Sequence, residues 1–176
     1  MATLLMRHAL PEWPLVNERH WPGLANDLVP LSEQGRVQAT EAAESLADAG
    51  ITALVSSPMT RALETAAVVS RRLGLPIQVH LDLREWLPDD TYQWRTLEEI
   101  LVAYRELLAG EGEWPPGQQR TWEPLSRVRA RARAALDATA ADADVRLVVC
   151  HEVVIHALTG FPSTPHATVR RLDPWP

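Results

Sequence analysis

Three places in the chain carry side chains suited to handling an anion. Leu4-Leu5-Met6 is an apolar run that ends in Arg7-His8. Val145 to Cys150 is a second apolar run, ending in His151-Glu152. Between them, Ile51 to Ser56 leads into Ser57-Pro58-Met59-Thr60-Arg61. An unprotonated imidazole can act as a nucleophile and divide one hard group transfer into two easier steps. Guanidinium groups offer paired donors that match phosphate oxygens. If the three runs are strands of one parallel sheet, their ends share the edge where open α/β sheets bind ligands. Helices starting at that edge add backbone N–H groups and a dipole that favours anions. The chemistry expected of this cluster is phosphoryl transfer, with His8 as the acceptor.

Other chemistries fit the same residues less well. Cys150 as a phosphatase nucleophile would need a downstream Arg to close a phosphate loop, and His156 stands there. His151-Glu152 followed by His156 looks like a zinc-protease helix, but that motif spaces its histidines four apart on one face. Here they are five apart, roughly 140° around a helix, so no metal is expected. Ser57 reads as a helix cap with Pro58 in the first helical position. Glu64 reads as a surface or supporting residue, and Cys150 as a buried strand residue.

The elements that must hold these residues follow in order. Residues 3–7 read as the first strand and residues 9–31 as a long loop, with four Pro and two Trp and no sustained period. Ser32 then opens a helix whose inward face would be Val37, Ala42, Ala43 and Leu46, with Gly50 ending it. A strand over 51–56, a helix to Gly74 and a strand over 76–81 complete a β-loop-α-β-α-β order. That order points to a parallel sheet covered by helices. Residues 86–124 break the pattern with Trp86, Trp94, Trp114 and Trp122 and one helix over about 96–108. We read them as a lid-like insertion, of which Trp86 and Trp94, with Trp13 and Trp21, either line a site or pack into a lid core. Leu125 to Ala140 is a helix on which Arg127, Arg129, Arg131 and Arg133 spread around a solvated surface. A short helix over 153–158 and a strand over 168–172 close the chain. The expectation is one domain over 1–176, a three-layer α/β/α sandwich with a mostly parallel central sheet.

Bulk properties narrow the partners. The 176 residues carry a net charge of −6, which argues against nucleic acid or an anionic membrane surface as partner. All 17 basic residues are Arg, which removes Lys Schiff-base chemistry. No segment is long and apolar enough to span a bilayer, and the N-terminus has no basic region followed by a long apolar run. A single cysteine excludes an internal disulfide, and a cytoplasmic setting is the expectation.

Taken together, Leu5-Met6-Arg7-His8, the stretch from Pro30 to Ala39, the stretch from Ser56 to Ala66, Glu85 and His151 resemble the histidine phosphatase superfamily. The order matches that of the family's phosphoglycerate-mutase-like branch and spans nearly the whole chain. The resemblance implies that His8 is phosphorylated transiently, that Arg7, Arg61 and His151 hold the phosphoryl group, and that Glu85 is the proton donor. It implies a phosphoglycerate-mutase-like fold and no metal or other cofactor. Three positions depart from the pattern. Ala9 replaces a common Gly. Asn17 lies three residues later than the family's phosphate-binding Asn. Glu152 follows His151 where this branch has Gly and the acid phosphatase branch has an acidic proton donor, so Glu152 rivals Glu85. The reading is a metal-independent phosphomonoester hydrolase acting on a small phosphorylated metabolite, with inorganic phosphate as the other ligand. A mutase-type phosphotransferase and a catalytically silent phospho-ligand-binding domain are the alternatives.

Overall fold

The computed structural model describes residues 2–19, 23–139 and 142–172. Among these residues five strands form one sheet: β1 (Ala2–Arg7), β2 (Ala53–Ser56), β3 (Ile77–Val79), β4 (Val145–Cys150) and β5 (Val169–Leu172). Their order across the sheet is β3-β2-β4-β1-β5. All neighbours are parallel except β5, which runs antiparallel to β1 at one edge. Six α-helices among the described residues surround the sheet: α1 (Trp13–Arg19), α2 (Glu33–Ser45), α3 (Thr60–Leu73), α4 (Leu97–Ala109), α5 (Leu125–Ala138) and α6 (Glu152–Thr159).

Side-chain alternation along the strands explains the three layers. Successive strand residues point to opposite faces. Leu5, Val55, Val148 and Cys150 face one side and pack with α5, α6, Leu107 of α4, Trp86 and Trp122. Met6, Leu54, Leu147 and Val149 face the other and pack against Ala43 and Leu46, and against Ala62, Ala66 and Val69 of α3. Both faces of the central strands are therefore covered, as near-continuous apolar runs such as Val145–Cys150 require.

Several sequence expectations need correction. The 9–31 stretch is not a bare loop: it holds α1 and a 3-10 turn over Gly23–Leu28. Helices this short have little intrinsic stability and depend on tertiary contact; buried Val16 supplies one for α1. Trp21 lies outside the described residues. Helix α2 ends at Ser45, before Gly50, and Val37 is 54% exposed because Gly35, Ala39 and Ala43 take the inward face. Helix α3 starts at Thr60 with Met59 at its cap position, so Pro58 precedes the helix rather than opening it. The arginines of α5 are not simply solvated: Arg129 donates to the Ala157 carbonyl, Arg131 is almost wholly enclosed, and Arg127 lies over the Trp114 ring.

The start of α2 is built to grip the turn after β1. Ser32 Oγ accepts the Gly35 N–H and donates to the Leu10 carbonyl, while Gln38 Oε1 accepts the Leu10 N–H. A Cβ on Gly35 would lie 2.1 Å from the Leu10 oxygen. Only glycine permits that approach, so the Ser-x-x-Gly-x-x-Gln spacing is a clamp on the chain two residues beyond His8.

Candidate active site

Strand register brings the three predicted junctions together. Arg7 pairs with Cys150, and Ser56 pairs with Val149. The His8 N–H then bonds to the Cys150 carbonyl at 3.0 Å, and the Ser57 N–H to the Val149 carbonyl at 2.9 Å. His8, Ser57 and His151 therefore leave the sheet side by side, with Arg61 in the first turn of α3 and Glu152 opening α6.

His8 is 4% exposed. Its Nδ1 lies 2.8 Å from the Ala9 carbonyl, an acceptor, so Nδ1 carries the proton and Nε2 holds a lone pair. Arg61 Nε donates to that Nε2 at 3.2 Å. Burial, then the Arg61 charge, pushes the His8 pKa well below the usual value, against the raising effect of the Ala9 bond. Both effects favour the neutral imidazole, the form whose lone pair can act as a nucleophile. Thr65 Oγ accepts the Ala9 N–H at 3.0 Å and Glu64 accepts the Leu31 N–H at 2.7 Å, so Glu64 and Thr65 of α3 fix the turn that aims His8.

His151 is fully buried, with its ring centroid 5.1 Å from that of His8. Ser57 Oγ lies 2.7 Å from its Nε2 and also accepts the Met59 N–H. Ser57 therefore orients His151 rather than merely capping a helix. Burial and Arg61 keep His151 neutral as well.

The two candidate acids differ sharply. Glu85 lines the cavity over His8, a space of about 260 Å³. Burial raises its pKa, against the opposing Trp86 N–H bond and the charges of Arg61, Arg7 and Arg131. Glu152 instead pairs with Arg7 at 3.0 Å and accepts from Ser163 Oγ and the Thr164 N–H. Its carboxylate is committed to holding Arg7. Asn17 lies on α1, and its side chain is outside the described set.

Sequence reasoning missed two contributors. His166 lines the same cavity, its ring 5.5 Å from His8, with its pKa pushed down to about 4 by burial and then Arg7. It belongs to no motif, and only tertiary structure brings it in. Arg131 ties down the segment that carries Glu85, donating to the carbonyls of Asp82, Arg84 and Glu85. Its guanidinium also makes a two-pronged pair with Glu123 at 2.8 and 3.0 Å. Burial alone would raise the Glu123 carboxyl, but Arg131, then Arg84, holds it below the usual range. This contribution to stability is present above the unfolded glutamate pKa and is lost as pH falls through the lower folded one. Replacing Arg131 by Met leaves the buried Glu123 carboxylate with Arg84 at 3.3 Å and the carbonyls of Asp82, Arg84 and Glu85 without this donor, and urea unfolding should show a loss of about 3–5 kcal/mol. Adding Glu123→Leu should recover the part due to the carboxylate and not the part due to the carbonyls.

Among the described residues, no three His, Cys, Asp or Glu side chains stand together as a metal ligand set. What does gather around His8 is unpartnered nitrogen: Arg7 Nε, His151 Nδ1 and His166 Nε2 are all buried without a hydrogen bond. Such groups are costly to bury unpaired. Grouped at a strand end, a helix start and the turn before β5, they give an α/β domain in which unpaired donors suited to an oxyanion stand beside an oriented histidine.

A profile of the histidine phosphatase superfamily (branch 1) matches residues 3–173, and the chain belongs to that family. It is 36% identical over 133 residues to a bifunctional protein of Mycobacterium tuberculosis, covering 72% of this chain and 35% of that protein. It is 34% identical over 158 residues to a glucosyl-3-phosphoglycerate phosphatase of Mycolicibacterium vanbaalenii, covering 83% of this chain and 66% of the relative. The chain thus spans about a third of the length of the first of these relatives. Among solved structures, a mycobacterial glucosyl-3-phosphoglycerate phosphatase superimposes with a TM-score of 0.72 at 26% identity, over 97% of this chain and 88% of that one. An α-ribazole phosphatase from Shigella flexneri shares the fold, with a TM-score of 0.70 at 20% identity, over 98% and 90% of the two chains.

Proposed function

We propose that the protein is a metal-independent phosphomonoester hydrolase that works through a phosphohistidine on His8. The observation that carries this reading is the set of buried, unpartnered nitrogens around a histidine whose Nδ1–H is held by a carbonyl and whose Nε2 lone pair is met by the Arg61 Nε–H. A phosphoryl group placed there would satisfy Arg7 Nε, His151 Nδ1 and His166 Nε2 at once. Relatives named as phosphatases of a phosphorylated metabolite support a small substrate.

In the first step His8 Nε2 forms a bond to phosphorus in line with the ester oxygen, and the P–O bond to that oxygen breaks. Arg61 turns its Nε–H from His8 Nε2 to a phosphoryl oxygen. Arg7 and Arg61 offset the charge on the equatorial oxygens, where fixed donors are most effective. Protonated Glu85 gives its proton to the leaving oxygen, the task for which a raised carboxyl pKa suits it. In the second step Glu85, now ionised, takes a proton from water as the water oxygen attacks phosphorus. The P–N bond breaks, releasing inorganic phosphate and His8. Glu152 acts indirectly, by fixing Arg7. The lone, buried Cys150 is consistent with a cytoplasmic setting.

The test is hydrolysis of 4-nitrophenyl phosphate by the purified protein in the presence of EDTA. Turnover that resists chelation is expected; turnover lost on chelation and restored by a divalent metal would contradict the reading.

A further inference from the structure

The cavity over His8 has two unlike parts. Around His8 stand Arg7, Arg61, Glu85 and His166. The remaining wall is largely Trp13, Trp86, Leu87, Trp94, Ile100 and Tyr104. These rings are held before any ligand arrives. The Trp86 indole donates to the Glu123 carbonyl at 2.6 Å and meets Tyr104 edge-on at 5.9 Å. The Trp94 indole is held by its neighbours: Tyr92 stacks with it at 5.6 Å, and Gly23 sits so close that a Cβ there would be 2.7 Å from the ring. Rings fixed in this way bind a flat partner with little loss of side-chain freedom.

Charge is distributed just as unevenly. The guanidiniums lining the cavity, among the described residues, are Arg7 and Arg61, and both adjoin His8. Burial raises the pKa of the other carboxyl on the wall, Asp27, although it feels the Arg61 charge. A second carboxylate or phosphate on the leaving group would therefore meet aromatic rings and an acid, with no further guanidinium among the described residues to receive it. A polyhydroxylated leaving group would give up water to a wall that returns few hydrogen bonds.

We propose that this cavity selects phosphomonoesters whose alcohol carries an uncharged aromatic ring, and rejects those whose alcohol bears a second anionic group. The inference rests on the phosphomonoesterase reading above and adds the substrate class to it. The rings of Trp86, Trp94 and Tyr104 take the leaving group, while Arg7 and Arg61 are spent on the one phosphate. The same shortage of cations disfavours a mutase, which must hold a substrate with a second anionic group.

The experiment compares kcat/KM for 2-phenylethyl phosphate, glycerol 3-phosphate and 3-phosphoglycerate. All three are alkyl esters with leaving groups of similar basicity, so differences report recognition. The aromatic ester should exceed glycerol 3-phosphate by at least about tenfold, as one stacked ring allows, and 3-phosphoglycerate by more. Leu101 also lines the cavity and is 37% exposed, so its replacement by Arg should be tolerated. Leu101→Arg should raise kcat/KM for 3-phosphoglycerate by about tenfold, through a new ion pair inside a partly dry site. Equal or better use of 3-phosphoglycerate by the parent protein, or no gain in Leu101→Arg, would overturn the proposal. So would refusal of all three esters while 4-nitrophenyl phosphate is still hydrolysed. Loss of 4-nitrophenyl phosphate hydrolysis as well would overturn the phosphomonoesterase reading and this proposal with it.

Discussion

Replacing His8 by Ala should reduce kcat for every phosphomonoester by about 10⁴-fold or more, the scale of losing a covalent nucleophile. The fold should survive. His8 is buried, but its side chain bonds only to its neighbour's carbonyl and to Arg61, and the apolar clusters that join the layers do not include it. The Ala9 and Leu10 N–H bonds to Thr65 and Gln38 that shape the turn are untouched. Inorganic phosphate or vanadate should still bind, because Arg7, Arg61, His151 and His166 remain. A variant that keeps ligand binding and unfolding midpoint yet loses turnover separates the nucleophile from its surroundings. Retention of more than a few per cent of parent activity would mean that another group attacks phosphorus.

Glu85→Gln should split according to the leaving group. For alkyl phosphates, whose oxygen must be protonated to leave, kcat should fall by about 10²–10⁴-fold, the usual range for a general acid. For 4-nitrophenyl phosphate the first step needs no proton, so phosphorylation of His8 should proceed while attack by water stalls. A burst of nitrophenolate followed by slow turnover is the expected trace. The pH profile carries the sign. Burial lifts the Glu85 pKa above the ordinary glutamate range, so the acid form persists to higher pH than for an exposed glutamate. For alkyl esters kcat should be high below that raised pKa and fall as pH rises through it, and the Gln variant should lack this limb. The same measurements on Glu152→Gln should leave the limb in place and raise KM, since that carboxylate pairs with Arg7. The reverse pattern would make Glu152 the acid.

Much of this site was legible in the sequence because it rests on strand ends. Apolar runs that stop at Arg7-His8 and at His151 announce both the strands and the edge at which they finish, and parallel register does the rest. The helix start at Ser32 was readable because its cap is a local signal, whereas the cap expected of Ser57 and Pro58 missed the true start of α3 at Thr60. What was not legible depends on burial that spacing does not encode. Arg131 reads as one of several evenly spread arginines, yet the fold closes over it and over Glu123, which leaves the pair 9% and 2% exposed. His166 sits in a loop with no periodicity, and its place beside His8 is set by β5 folding back antiparallel on β1. Helix α1 is only seven residues long, too short for an apolar period to emerge. Glu85, preferred over Glu152 in the sequence, also differs from it in surroundings that spacing does not encode: Arg7 pairs with Glu152, while Glu85 lines the cavity.

The central claim is that phosphorus passes through His8. The most direct measurement uses a phosphomonoester carrying radiolabelled phosphate, mixed with the Glu85→Gln protein, quenched in alkali and digested. The account predicts an alkali-stable, acid-labile label on the peptide containing His8, formed as fast as the burst and absent when His8 is Ala. Label on any other residue, or inorganic phosphate released at the parent rate with no labelled protein at any time, would contradict it.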